Sequence, residues 1–156
     1  MYDVVALGEL LIDFASQGTD GDGYPTMAAH PGGAPCNFLA ALSKYGAKTA
    51  FLGKVGDDAF GHLLRGTLEQ AGIETRGLVM DPAVFTTLAF VTFDAQGDRS
   101  FSFARKPGAD TWLRAEGTGR KAIPGRSISG AGHGRPDDLH CPLLSNDRRC
   151  LPNLHR

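Results

Sequence analysis

The residues with the most chemical content sit in one short stretch, Pro31-Gly32-Gly33-Ala34-Pro35-Cys36-Asn37. Paired glycines ahead of a helix let a ligand come close to the backbone, and they leave the first-turn N–H groups free to donate. Asn37 adds a side chain that both donates and accepts. Such a site suits a polyol, although a Gly-Gly pair before a helix is also an ordinary turn and cap, and the pattern alone leaves both readings open. A second residue of note is Asp13, a carboxylate inside the apolar run Leu10-Leu11-Ile12-Asp13-Phe14. An acid there is costly to bury unless a polar group meets it.

The elements that must position these groups follow from the hydrophobic pattern. Val4-Val5-Ala6-Leu7, closed by Gly8, reads as a buried strand of the parallel type, and Leu10 to Phe14 as a second extended segment. The Gly- and Asp-rich stretch from Ser16 to Tyr24 reads as a loop or turn. Phe38, Leu39, Ala41 and Leu42 fall at helical spacing between Pro35 and Tyr45, with Pro35 in a first turn where its missing N–H does no harm and Gly46 as the stop. Thr49 to Leu52 is a strand. Gly56-Asp57-Asp58 offers caps for a second helix that runs to Ala71, with Phe60, Leu63, Leu64 and Leu68 on one face and Gly72 after it. This alternation predicts an α/β layer with a parallel sheet. From Thr86 the pattern changes. Thr87 to Phe93 and Arg99 to Ala104 are β-rich runs on either side of Asp94-Ala95-Gln96-Gly97-Asp98, a hairpin signature. They are expected to project from the main sheet as an antiparallel flap, together with extended pieces around Ile12 to Ala15 and Met27 to His30.

Bulk composition bounds the function. At 156 residues the chain fits one domain of about 100 to 200 residues. A net charge of −1 offers no general attraction to nucleic acid or anionic lipid. No apolar run approaches the roughly 20 residues needed to span a bilayer, and Met1-Tyr2-Asp3 lacks a basic signal start, so a cytoplasmic protein with neither membrane nor nucleic-acid partner is expected. Cys36, Cys141 and Cys150 suggest no disulfide framework. Composition shifts after Arg114: residues 1–114 carry 9 basic and 13 acidic residues with regular apolar stretches, whereas 115–156 carry 7 basic, 4 acidic and no aromatic residues. Without a sustained apolar period, the second part cannot offset its ordering entropy, and a disordered or aberrant tail is expected over 115–156. Its abrupt change of character suggests out-of-frame translation of a related gene. His133, His140, Cys141, Cys150 and His155 match no zinc spacing, so no metal site is assigned.

Several of these phrases together resemble the ribokinase-like (PfkB) carbohydrate kinases, and fructokinases among them. The resemblance rests on Ala6-Leu7-Gly8-Glu9-Leu10-Leu11-Ile12-Asp13-Phe14, on Gly32-Gly33 with Asn37, on Gly53-Lys54-Val55-Gly56-Asp57-Asp58-Ala59-Phe60-Gly61, and on Phe103-Ala104-Arg105-Lys106-Pro107-Gly108-Ala109-Asp110. It covers residues 1 to about 113. It implies a three-layer α/β/α fold with a small antiparallel β lid, of which residues 1–114 form a part and the carboxyl half is missing. The implied activity is ATP-dependent phosphoryl transfer to a sugar hydroxyl, with Mg²⁺. Asp13 would accept hydrogen bonds from sugar hydroxyls, Gly32 and Gly33 would lie against the sugar, Asn37 would bond a hydroxyl, and Arg105 would reach down from the lid. Arg105 as a solvated charge at a strand end is the other reading.

The family's catalytic Asp belongs to a Gly-Ala-Gly-Asp motif far into the carboxyl half. Gly130-Ala131-Gly132-His133 has His in that place and comes too soon after the lid, so no catalytic residue is assigned. The chain alone is accordingly expected to be an inactive sugar-binding half that holds neither ATP nor Mg²⁺ tightly. A non-catalytic sugar-binding or dimerisation module, with lid strands pairing in a homodimer, is the alternative. A dinucleotide site is disfavoured because Leu7-Gly8-Glu9-Leu10 lacks the spaced glycines a pyrophosphate requires.

Overall fold

The structure, a computed structural model, describes residues 1–94 and 96–114 and the backbone of 125–129. Its elements in chain order are β1 (Tyr2–Leu7), β2 (Leu11–Thr19), β3 (Pro25–Gly32), α1 (Ala34–Lys44), β4 (Thr49–Gly56), α2 (Ala59–Gln70), β5 (Ile73–Asp81), β6 (Leu88–Phe93), β7 (Arg99–Ala104), a 3₁₀ turn (Ala109–Trp112) and β8 (Gly125–Ser129). They form two sheets, a parallel one in the order β5-β4-β1-β8 and a second in the order β3-β2-β6-β7.

The parallel sheet is buried from both sides along β4, which explains why that strand reads as a nearly unbroken apolar run. Phe51 and Val55 are fully buried on one face among Leu39 of α1 and Leu64 and Leu68 of α2, while Ala50 and Leu52 pack with Val5 on the other. Each buried Leu, Phe or Val contributes about 1.5–3 kcal/mol, so this layer supplies most of the core. Both helices lie against the same face. Strand β5 was not marked by alternation in the sequence, because Gly77 interrupts it and the register with β4 shifts between Ala50 and Leu52.

The expected flap is the second sheet. It consists of two antiparallel hairpins, β2–β3 and β6–β7, joined along a parallel β2–β6 seam. The segment from Ser16 to Tyr24, read as a loop, instead continues β2 to Thr19 before turning. Within the expected tail, Gly125–Ser129 forms β8 beside β1. The remainder of 115–156, with Gly130-Ala131-Gly132-His133 and the late His and Cys residues, lies outside the described residues.

The two sheets are fastened where β4, α2 and the segment before β6 meet. Asp58 caps α2 by accepting the Gly61 N–H at 2.8 Å through Oδ1, and the same oxygen accepts the Thr86 hydroxyl at 2.9 Å. Its Oδ2 accepts the Thr86 N–H at 2.8 Å, and Thr86 Oγ1 in turn accepts the Gly56 N–H at 3.0 Å. Burial pushes the Asp58 carboxyl upward, but these donors, with the Phe60 N–H, outweigh it and hold the group below its ordinary value. Because the folded pKa is depressed, the stabilisation is present above the ordinary value near 3.8 and is lost as pH falls from there through the folded value. Asp58→Ala is expected to lower the unfolding free energy by roughly 2–3 kcal/mol, a lost cap plus lost charge-assisted bonds. Urea denaturation at pH 7 would show this, and the gap to wild type would narrow as the pH is taken below 4.

Candidate functional site

Asp13 stands near the base of the flap, opposite His30 on β3 and Ala89 on β6. Strand alternation puts it on the side away from Ile12 and Phe14. Those two belong to the core, where the Phe14 ring meets Phe60 edge-on at 5.5 Å and stacks on Phe90 at 5.4 Å. The acid therefore faces out of the core but is not fully exposed. Burial holds its carboxyl above the ordinary value, with His30 opposing. It makes no side-chain hydrogen bond among the described residues.

What gives Asp13 its room is Gly32. A Cβ at that position would collide with Asp13 Oδ2 and come within 2.8 Å of its Cγ. Gly33 follows in a conformation with φ +119°, and a Cβ there would sit 2.5 Å from the carbonyl oxygen of Glu9. Both glycines are thus required by close approach, one to the acid and one to the β1–β2 turn. Gly33 also begins α1: its carbonyl accepts the Asn37 N–H at 3.1 Å, with Pro35 in the first turn as expected. The Asn37 side chain is exposed. So the structure brings Asp13 and Gly32 into contact, seats Gly33 on the turn before Asp13, and places Asn37 in the opening turn of the helix that Gly33 starts. Cys36 beside it is buried, and burial raises its thiol pKa.

Arg105 is not a free charge at the end of β7. Its Nη2 pairs with Asp110 Oδ2 and lies 3.5 Å from Glu9 Oε2, while its Nε is buried without a partner among the described residues. Asp110, buried in the 3₁₀ turn, also accepts the Thr87 hydroxyl, and Ala109 N–H bonds the Phe85 carbonyl at 3.0 Å. The guanidinium therefore ties the end of the flap to the β1–β2 turn. Glu9, half-buried, is raised first by burial, is lowered by Arg105, and is raised again by Asp110 and Asp13, which puts all four charges in one corner. Sequence reading passed over Glu9, Thr87 and Asp110 as site-related residues. Asp110 had one signal, an acid directly after Gly108-Ala109 and before Trp112-Leu113, but its partner Thr87 is 23 residues away and no local spacing reveals it.

The described residues do not fit a triphosphate or its metal. Triphosphates seat on uncovered helix N-termini. The α2 N-terminus is already capped by the Asp58 carboxylate, and the first turn of α1 adjoins Glu9 and Asp13. Among the described residues there is also no cluster of His, Cys, Asp or Glu that could hold a metal ion, and no helix long and apolar enough to cross a membrane.

The description "pfkB family carbohydrate kinase" matches residues 1–116. Fructokinase-2 of Solanum lycopersicum is 45% identical over 112 residues, covering 70% of this chain and 34% of that protein. Fructokinase-1 of Zea mays is 44% identical over 115 residues, covering 72% and 36%. Among solved structures, fructokinase from Xylella fastidiosa superposes with a TM-score of 0.72 at 36% identity, covering 78% of this chain and 38% of that one. The same enzyme with bound ATP gives 0.70 at 34% identity, covering 78% and 39%. The chain spans about a third of the length of the curated relatives it matches. The α/β body with its β lid is accordingly the amino-terminal part of a ribokinase-like fold, and the chain belongs to the PfkB family of carbohydrate kinases.

Proposed function

We propose that this chain is the sugar-recognising, lid-bearing part of an ATP-dependent kinase that phosphorylates a hydroxyl of a ketohexose, fructose being the first candidate. The observation that supports this reading is the placement of Asp13: an acid held above its ordinary pKa by burial, at the base of the lid, with Gly32 against it and no side-chain hydrogen bond among the described residues. A partly desolvated carboxylate lacking donors gains strongly from sugar hydroxyls, since hydrogen bonds to an ionised acceptor are about twice as strong as neutral ones. Gly32 and Gly33 would let the sugar ring approach the backbone. Asn37 would bond a further hydroxyl from the helix start, and Arg105 would close the corner from the lid side.

The phosphoryl donor and the base that activates the hydroxyl belong, on this reading, to the part of the fold that the described residues do not supply. The chain by itself should then bind sugar without turning it over, and ATP with Mg²⁺ would be held by the complementary part. A coupled ADP-release assay with fructose, run on this polypeptide alone, should stay at background. Robust turnover would overturn that assignment.

The alternative, a lid-to-lid dimer acting as a non-catalytic module, is favoured by one feature. Strand β7 is exposed along its whole length, and Phe101 and Phe103 stack with their centroids 6.4 Å apart on its surface. An edge strand of this kind, paired on one side only among the described residues, pairs readily with another chain. Sedimentation and calorimetry test the module: a dimer that dissociates on Phe101→Lys supports dimerisation through the lid, and heat from fructose without nucleotide separates a sugar-binding module from an inert fragment.

For the sugar site itself, Asp13→Asn is expected to weaken fructose binding by about 10- to 100-fold in calorimetry, the cost of losing charge-assisted bonds. Lowering the pH through the raised value of Asp13 should weaken wild-type binding in the same sense, because the protonated acid accepts less well, and should leave Asp13→Asn unaffected. Gly32→Ala, whose methyl would displace the Asp13 carboxylate, should abolish binding. Unchanged fructose affinity in folded Asp13→Asn would refute the role given to this acid.

A further inference from the structure

Resting on the sugar site proposed above, we propose that Asp110 is a specificity-determining residue: by neutralising Arg105 it makes the site accept uncharged sugars and turn away sugar acids. A guanidinium beside a polyol site is a natural receptor for a carboxylate, which it grips with two parallel N–H donors. Arg105 is placed to do this, reaching from the end of β7 to the turn that carries Glu9 just ahead of Asp13. Its charge is already taken. Asp110 holds Nη2 at close range, and Glu9 stands 3.5 Å from the same nitrogen.

The clamp is built rather than incidental. The Asp110 side chain is 2% exposed, and its other oxygen accepts the Thr87 hydroxyl, which fixes the carboxylate before any ligand arrives. Ala109 N–H on the Phe85 carbonyl holds the turn beneath it. Asp110 therefore cannot swing aside to release Arg105 without giving up a buried hydrogen bond.

The charge count points the same way. Glu9 and Asp110 both meet the one guanidinium of Arg105, and Asp13 stands close enough to act on Glu9, with the exposed His30 across from it. When the three acids are ionised the corner is net negative, so a ligand carboxylate meets repulsion where a ligand hydroxyl meets an acceptor. A ketohexose and the corresponding 2-keto-3-deoxy sugar acid have similar polyol chains and differ in this charge. Asp110 acts through Arg105 and is a positioning residue, not a contact to the sugar.

The test is calorimetric titration of the full chain with D-fructose and with 2-keto-3-deoxy-D-gluconate. Wild type should prefer fructose by at least about tenfold. Asp110→Asn keeps an acceptor for Thr87 but frees the Arg105 charge, and should move the ratio of the two affinities at least about tenfold toward the acid. Adding Arg105→Met to that variant should return the preference to fructose, a reversal that mere loosening of the fold would not produce. An unchanged ratio in Asp110→Asn that still binds fructose would overturn the inference and leave the sugar site standing. Should Asp110→Asn fail to melt cooperatively, Glu9→Gln removes the second carboxylate and should move the ratio in the same direction by about threefold; no movement there also overturns it. Absence of fructose binding in wild type would sink the sugar site and this inference together.

Discussion

A carboxylate set in the middle of a sheet strand needs either a partner or space, and the arrangement of this protein turns on its having space. Asp13 projects from β2 on the side away from the core, and the strand beside it offers Gly32 where any other residue would place a methyl against the acid. The next glycine starts α1 while leaning on the Glu9 carbonyl, so the turn before Asp13 and the first turn of the helix are held at contact distance. The two missing side chains thus make room for protein groups, the Asp13 carboxylate at Gly32 and the Glu9 carbonyl at Gly33. Larger residues at 32 and 33 would displace both without changing a single charged group.

Two aspartates near the base of the lid show how environment separates structure from function. Asp58 is surrounded by donors from the Gly61, Phe60 and Thr86 amides and the Thr86 hydroxyl, and its proton affinity falls despite burial. Asp13 has burial and no donor among the described residues, and its proton affinity rises despite His30. The first acid has its hydrogen bonds within the fold and serves as a fastener. The second makes no side-chain hydrogen bond among the described residues, which is why it carries the proposed binding role. Asp110 also has its hydrogen bonds within the fold, to Thr87 and Arg105.

Much of this was legible in the sequence because it is local. Both helices, the β6–β7 hairpin and the capping role of the Gly56-Asp57-Asp58 segment follow from spacing and turn chemistry that operate within a dozen residues. Gly32, Gly33 and Asp13 stood out by type, and likeness to a known family linked them. The corner formed by Glu9, Thr87, Arg105 and Asp110 was not legible as a unit, since Glu9 and Asp110 stand about a hundred residues apart, although family likeness had singled out Arg105 and Asp110 carried one local signal. Nor was the parallel β2–β6 seam: pairing direction depends on where the two hairpins leave the body, and alternation within a strand carries no record of that. Strand β5 escaped notice for a simpler reason, a glycine and a register shift in the middle of its pattern.

The parallel sheet explains why the lid, the fastener and the site all collect at one end of the molecule. In a parallel sheet every strand delivers its chain to the same edge, and ligands bind in the crevice beyond the carboxyl ends of the strands. Here β1 ends at Leu7 and passes through Glu9 into β2, β4 ends at Gly56 and passes through Asp58 into α2, and β5 ends at Asp81 and passes through Thr86 and Thr87 into β6. Three consecutive strand ends therefore supply the root of one lid hairpin, the acid that fastens the lid, and the root of the other hairpin. Two hairpins rising from the same edge must begin in the same direction, so β2 and β6 meet in parallel, with Ile12 N–H on the Thr87 carbonyl at 3.1 Å as the first bond of the seam. Asp13 is the next residue along. The acid thus lies at the base of the lid because the topology of the body leaves the lid no other place to start.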